Sequence, residues 1–109
     1  MSEDALHRLA ATIRARQLEP ASKSYTRELL DAGPERCAKK LGEEATETII
    51  AALAQDGQAL TREAADLLYH LLVLLECRRV SLADVMAELE RRMGTSGLTE
   101  KAARGKSPE

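Results

Sequence analysis

Between Leu67 and Leu75 the chain reads Leu-Leu-Tyr-His-Leu-Leu-Val-Leu-Leu, a run that limits what it can fold into more than any other feature. At about 100° per residue, Ala64, Leu68, Leu71 and Leu75 form one apolar stripe, while Leu67, Leu72 and Leu74 fill much of the remaining circumference. A helix that is apolar on almost every side has to be surrounded by other structure. The run falls well short of the roughly 18 residues that span a bilayer, so it reads as a buried helix. The rest of the chain supplies about four more helices, only two of them long, too few to enclose it. The expected architecture is therefore an all-α antiparallel helical bundle with no β-sheet, completed by homodimerisation.

Composition narrows the function classes. A chain of 109 residues has room for one small domain. Its aromatic residues are two tyrosines, with no Phe or Trp, so the core must be aliphatic. That counts against β-sandwiches and barrels, and against single-strand nucleic-acid readers that need stacking platforms. Sixteen basic and eighteen acidic residues leave a net charge of −2, which provides no field for nucleic acid or an anionic membrane. Cys37 and Cys77 are distant in sequence, form no CxxC pair and follow no signal-peptide pattern. The expectation is two reduced thiols in a cytoplasmic protein. His7, His70, Cys37 and Cys77 do not have the spacing of a zinc site.

Periodicity and punctuation predict five helices. The first spans about residues 4–17, with Leu6, Leu9, Ala10 and Ile13 on one face, and ends at Glu19-Pro20. A short second helix over 25–32 stops at Gly33, and Pro34 starts a third that runs to about Ala54. Gln55-Asp56-Gly57 is read as a break, Thr61 as the opening of the fourth helix, and Arg79 as its approximate end. Ser81 caps the fifth helix, which has Asp84 in its first turn and Arg91-Arg92 in its last. These elements make one domain over 1–93. The tail over 94–109, rich in Gly, Ser, Thr, Lys and Pro, is expected to be disordered.

On the fourth helix Glu63, Asp66 and His70 share a face at i, i+3 and i+7. On the third, Glu44 and Glu47 are likewise i and i+3, with Lys40 one turn earlier, and they border an apolar stripe of Ala38, Leu41, Ala45, Ile49 and Ala52. If the two helices are antiparallel neighbours, four carboxylates meet. Partly buried like charges repel unless they share a proton or a cation. Mg²⁺ takes oxygen ligands and binds carboxylates together with substrate phosphates, which points to phosphoanhydride or phosphate-ester hydrolysis. Such pairs are also common on solvated helix faces, and Glu28 with Asp31 makes one to which no ion is assigned. Lys39 and Lys40 are placed either as solvated surface charge or as phosphate partners. Gly42 costs a helix interior about 1 kcal/mol against Ala, which suggests close approach of a ligand or a second helix. Tyr69 is expected to pack its ring and send its hydroxyl to a polar partner.

The segments Ser24-Tyr25-Thr26, Gly33-Pro34, Cys37-Ala38-Lys39-Lys40-Leu41-Gly42-Glu43-Glu44 with Glu47, and Glu63-Ala64-Ala65-Asp66 through Leu75 closely resemble the phosphoribosyl-ATP pyrophosphohydrolase family. Val80-Ser81-Leu82 and Val85 to Leu89 continue the likeness, which covers roughly residues 5–92. The resemblance implies the all-α nucleoside triphosphate pyrophosphohydrolase superfamily, dimeric bundles in which acidic residues hold Mg²⁺, with Mn²⁺ as a plausible substitute. It assigns Glu44, Glu47, Glu63 and Asp66 as metal ligands, with Glu43 and His70 behind them. Glu44 or Glu47 is then the catalytic base, and Arg36, Lys39 and Lys40 bind the substrate phosphates. The implied reaction converts phosphoribosyl-ATP to phosphoribosyl-AMP and pyrophosphate in histidine biosynthesis. The cyclohydrolase of the next step is expected as a separate chain with which this one associates. Two other readings stay open: a house-cleaning pyrophosphohydrolase of nucleoside triphosphates, and a non-catalytic helical dimerisation module.

Overall fold

The computed structural model describes residues 4–20 and 24–94. Its helices, in chain order, are α1 (Ala5–Arg16), α2 (Tyr25–Ala32), α3 (Pro34–Ala54), α4 (Gly57–Cys77) and α5 (Leu82–Met93). No strand occurs among the described residues, in keeping with the all-α expectation. The expected disordered tail, beyond Gly94, lies outside them.

Four of the five helices begin on a short polar side chain that accepts the third backbone N–H of its helix. Asp4 accepts from His7, Ser24 from Arg27, Asp56 from Ala59 and Ser81 from Asp84, at 2.8–3.1 Å. The exception is α3, which starts at Pro34, where a missing N–H costs nothing. Gly33 links α2 to α3 with φ 95° and ψ 175°, a conformation essentially reserved for glycine.

The Asp56 cap corrects the sequence reading of α4. The helix begins at Gly57, four residues before Thr61, because Asp56 and Gly57 form an N-terminus rather than a break. Its last residue is Cys77, not Arg79. Arg79 adopts φ 58°, and the Val80 amide reaches back to the Leu75 carbonyl at 2.9 Å, a left-handed closure of the helix end.

Helices α3 and α4 form an antiparallel hairpin with the most extensive interface of the fold, and α1 and α2 pack across its open end. Ile13, Leu29, Cys37, Leu72, Val73 and Leu82 make the buried cluster, so every helix contributes to it. Arg27 secures the turn between α1 and α2 by donating to the carbonyls of Gln17 and Glu19 at 2.8 and 2.7 Å. Helix α5 leans on the cluster through Leu82 and Met86.

The apolar stripes read from the sequence are only partly the buried ones, with Leu72, Leu74 and Leu75 in or against the core. On α3, Cys37 and Ala51 are buried, whereas Ile49, Ile50 and Leu53 are 59%, 49% and 84% exposed. On α4, His70, Leu72 and Val73 are the buried residues, and Leu68 is 44% exposed. Pairing the two long helices turns the face with Cys37, Glu44, Thr48 and Ala51 inward, which leaves the more apolar faces outside the chain's own core.

Candidate acidic site between α3 and α4

The hairpin brings together carboxylates that are about 20 residues apart in sequence. Oxygens of Glu44, Glu63 and Asp66 lie within 4.8 Å of one another. The Thr48 hydroxyl sits between the carbonyls of Glu44, at 2.8 Å, and Glu63, at 3.2 Å, and so fixes the two helices at the level of the acids. Glu47, one turn beyond Glu44, lines the same cleft and is near enough to raise the Glu44 carboxyl. Three of the four carboxylates of the sequence reading therefore converge, and Glu47 stands beside Glu44 at the edge of the group. Glu63 and Glu44 are half-buried, while Asp66 and Glu47 are exposed, so the site opens outward instead of lying inside a closed core.

The electrostatics follow from that crowding. Burial, the hydrogen bond and charge of Glu47, and the charges of Asp66 and Glu63 all push the Glu44 carboxyl above its ordinary value. The donor set is entirely oxygen, partly solvated and strained by mutual repulsion, and it suits a hard divalent cation.

His70 sits behind this cluster, 6% exposed, with Nε2 3.9 Å from Glu44 Oε1. That distance is too long for a hydrogen bond. Burial first, and then the charge of Lys40, hold the imidazole below its usual range, so it is neutral at neutral pH and the contact is not an ion pair. Its Nδ1 is buried without a hydrogen-bond partner among the described residues. Tyr69 and Tyr25 pack edge-on against the ring, with centroids 4.9 and 6.3 Å away. The Tyr69 hydroxyl bonds Thr26 on α2, as its sequence context predicts.

The basic residues divide into separate places. Lys40 pairs with Glu43 at 3.2 Å, not with Glu44, and its ammonium is stabilised upward mainly by that bond. Lys40, Glu43, Glu44 and Glu47 line an open cleft of about 530 Å³. Lys39 is exposed and does not line that cleft. Arg36 lines a different cleft of about 330 Å³ with Tyr25, Glu28 and Asp31. Tyr25 connects the two regions, since it also touches His70. Sequence reasoning gave Tyr25 no individual role; only its position before the Thr26 contact to α4 could have flagged it. Gly42 is exposed, and a Cβ built there meets nothing within 4 Å, so no second helix among the described residues approaches it.

Comparison with known proteins adds an independent line. Residues 6–93 match the family model described as phosphoribosyl-ATP pyrophosphohydrolase. A phosphoribosyl-ATP pyrophosphatase of Cereibacter sphaeroides (strain ATCC 17025 / ATH 2.4.3) is 60% identical over 92% of this chain and 97% of its own length. The proteins of the same name from Jannaschia sp. (strain CCS1) and Rhodobacter capsulatus are 61% and 58% identical, covering 91% and 93% of the chain and 97% and 98% of their own lengths.

Proposed function

The chain belongs to the phosphoribosyl-ATP pyrophosphohydrolase family, and from that premise we propose that the cleft between α3 and α4 is its active site, with Mg²⁺ held by Glu44, Glu47, Glu63 and Asp66. The activity is hydrolysis of phosphoribosyl-ATP to phosphoribosyl-AMP and pyrophosphate, a step of histidine biosynthesis. The observation that carries the site assignment is the convergence of Glu44, Glu63 and Asp66 within 4.8 Å. Mn²⁺, with the same preference for oxygen, is the expected substitute.

When bound, the ion supplies charge neutralisation and polarisation of the phosphoanhydride. The chain's own residues do the rest. The Glu44–Glu47 pair orients water for attack at the α-phosphorus, and one of these two carboxylates accepts its proton. Lys40, steered by Glu43, and the neighbouring Lys39 meet the negative phosphate oxygens of substrate and departing pyrophosphate. Arg36, from the adjoining cleft past Tyr25, extends that basic edge. His70, neutral and gripped by Tyr25 and Tyr69, acts as a rigid wall that keeps Glu44 turned toward the cleft.

The working form in this reading is a homodimer in the cytoplasm. Ile49, Ile50, Leu53 and Leu68, all exposed on the long hairpin, make the apolar surface a second copy would cover. No helix among the described residues is long and apolar enough to cross a membrane. Association with the cyclohydrolase that takes the product belongs to the same reading.

Pyrophosphate release from phosphoribosyl-ATP, measured beside a panel of ordinary and damaged nucleoside triphosphates, tests it. Selective turnover of phosphoribosyl-ATP is expected. Equal turnover of the panel would favour the house-cleaning reading, and no turnover of any of them would favour the dimerisation module.

A further inference from the structure

Helices α3 and α4 are antiparallel, and residue pairs that face each other recur at regular steps. Glu44 faces His70 at 3.9 Å. Two turns toward the start of α3 is Cys37, and two turns toward the end of α4 is Cys77, seven residues away in both cases. The same register therefore places the two thiols at one level of the hairpin. Cys37 belongs to the buried cluster and Cys77 packs against it. Cys77 is near enough to be the neighbour that, after burial, most raises the Cys37 thiol, although the two are 40 positions apart in sequence.

Their surroundings differ in a useful way. Cys37 is 1% exposed and its thiol donates to the Leu29 carbonyl at 3.2 Å. Burial first, then the charge and hydrogen bond of Cys77, push that thiol up to about 11. Cys77 is only half-buried and opens on a cleft of about 540 Å³ that is edged by Arg14, Arg27 and Arg79. A small oxidant therefore reaches one sulfur of the pair and not the other, and the unreached sulfur belongs to the cluster against which Cys77 packs.

From this juxtaposition we infer that Cys37 and Cys77 form an oxidative modification site, at which a peroxide closes a reversible disulfide between the start of α3 and the end of α4. In the first step the Cys77 sulfur attacks a peroxide oxygen. An S–O bond forms, the O–O bond breaks, and the departing hydroxide takes the thiol proton and leaves as water. In the second step the Cys37 sulfur attacks the Cys77 sulfur. The S–S bond forms, the S–O bond breaks, and the second hydroxide leaves with the Cys37 proton as a second water. Two thiols lose two electrons to one hydrogen peroxide, which becomes two waters. A thiol reductant reverses the change, the behaviour expected of a transient disulfide in a reducing compartment.

The test uses the full reduced chain, treated with stoichiometric hydrogen peroxide and read by thiol titration, intact mass and peptide mapping. The expected result is that both thiols disappear together, two hydrogens are lost, and one linked peptide pair contains Cys37 and Cys77 within a single chain. Melting temperature should rise on oxidation and return with dithiothreitol. Cys77→Ser, which leaves the buried Cys37 in place, should abolish all of these changes. Thiols that stay titratable, oxygen added to Cys77 without a link, or disulfides between chains would each overturn the inference.

Discussion

The Thr48 hydroxyl on α3 lies 3.2 Å from the carbonyl oxygen of Glu63 on α4, one turn from Glu44 on its own helix. This contact sets the height at which the two carboxylate pairs meet, and it explains why the acids converge where two unrelated surface pairs would not. Removing one acid should then have opposite effects on stability and turnover. Glu44→Gln relieves repulsion with Glu47, Asp66 and Glu63, so the metal-free chain should melt at a higher temperature than the parent. The same substitution should lower kcat about 10²-fold or more, the scale of losing a positioned acid–base group. Calorimetric melting without metal, paired with a pyrophosphate assay, reads both signs.

Two glycines should respond in opposite directions to alanine. Gly33 has φ 95°, so Gly33→Ala strains the backbone although open space surrounds the new methyl, at a cost of about 1–3 kcal/mol. Gly42 is helical with nothing within 4 Å, so Gly42→Ala should stabilise by up to about 1 kcal/mol. Urea midpoints check both. If Gly42→Ala also raises KM for phosphoribosyl-ATP, the open space at Gly42 is where substrate approaches.

The boundaries of α2 were legible because Ser24 and Gly33 are local signals, a side-chain cap and a left-handed hinge, that no distant contact alters. The start of α4 was not, because Asp56-Gly57 has the composition of a turn and acts as an N-terminus only through the Asp56 bond to Ala59. The carboxylate set was readable from spacing on each helix, and the helix pairing needed to join the two halves follows from a short connection. The burial pattern of α3 was harder. Hydropathy points to Ala38, Ile49 and Ala52, whereas the hairpin buries Cys37 and Ala51 and turns Glu44 and Thr48 toward α4. The nearness of Cys37 and Cys77 was equally hidden, since only the helix register brings both to the same cluster.

The exposed apolar residues of α3 define the dimer prediction. Leu53 is 84% and Ile49 59% exposed, a surface that a soluble helix hairpin does not normally leave open to water. Size-exclusion chromatography with light scattering should give twice the mass of one chain. Ile49→Glu should shift it toward the monomer. A parent chain that is monomeric at micromolar concentration would contradict the shared bundle.

Helix α5 should be sensitive to acid through one residue. Arg91 and Arg92 hold the Glu88 carboxyl down to about 2 from its usual 4.5. Because the folded value is the lower one, the contribution of this pairing is complete above about pH 4.5 and is lost as pH falls toward 2. Carbon chemical shifts of α5 should therefore move toward coil across that window in the parent chain. In Glu88→Gln they should already be displaced at neutral pH and change little on acidification.

The most direct test of the account is the rate of pyrophosphate release from phosphoribosyl-ATP as Mg²⁺ is returned to the chelated chain. The four carboxylates predict no turnover in chelator, saturable recovery with Mg²⁺, and recovery by Glu63→Gln only at higher Mg²⁺ or not at all. Full turnover by the chelated chain, or an unchanged Mg²⁺ requirement in Glu63→Gln, would contradict the metal site.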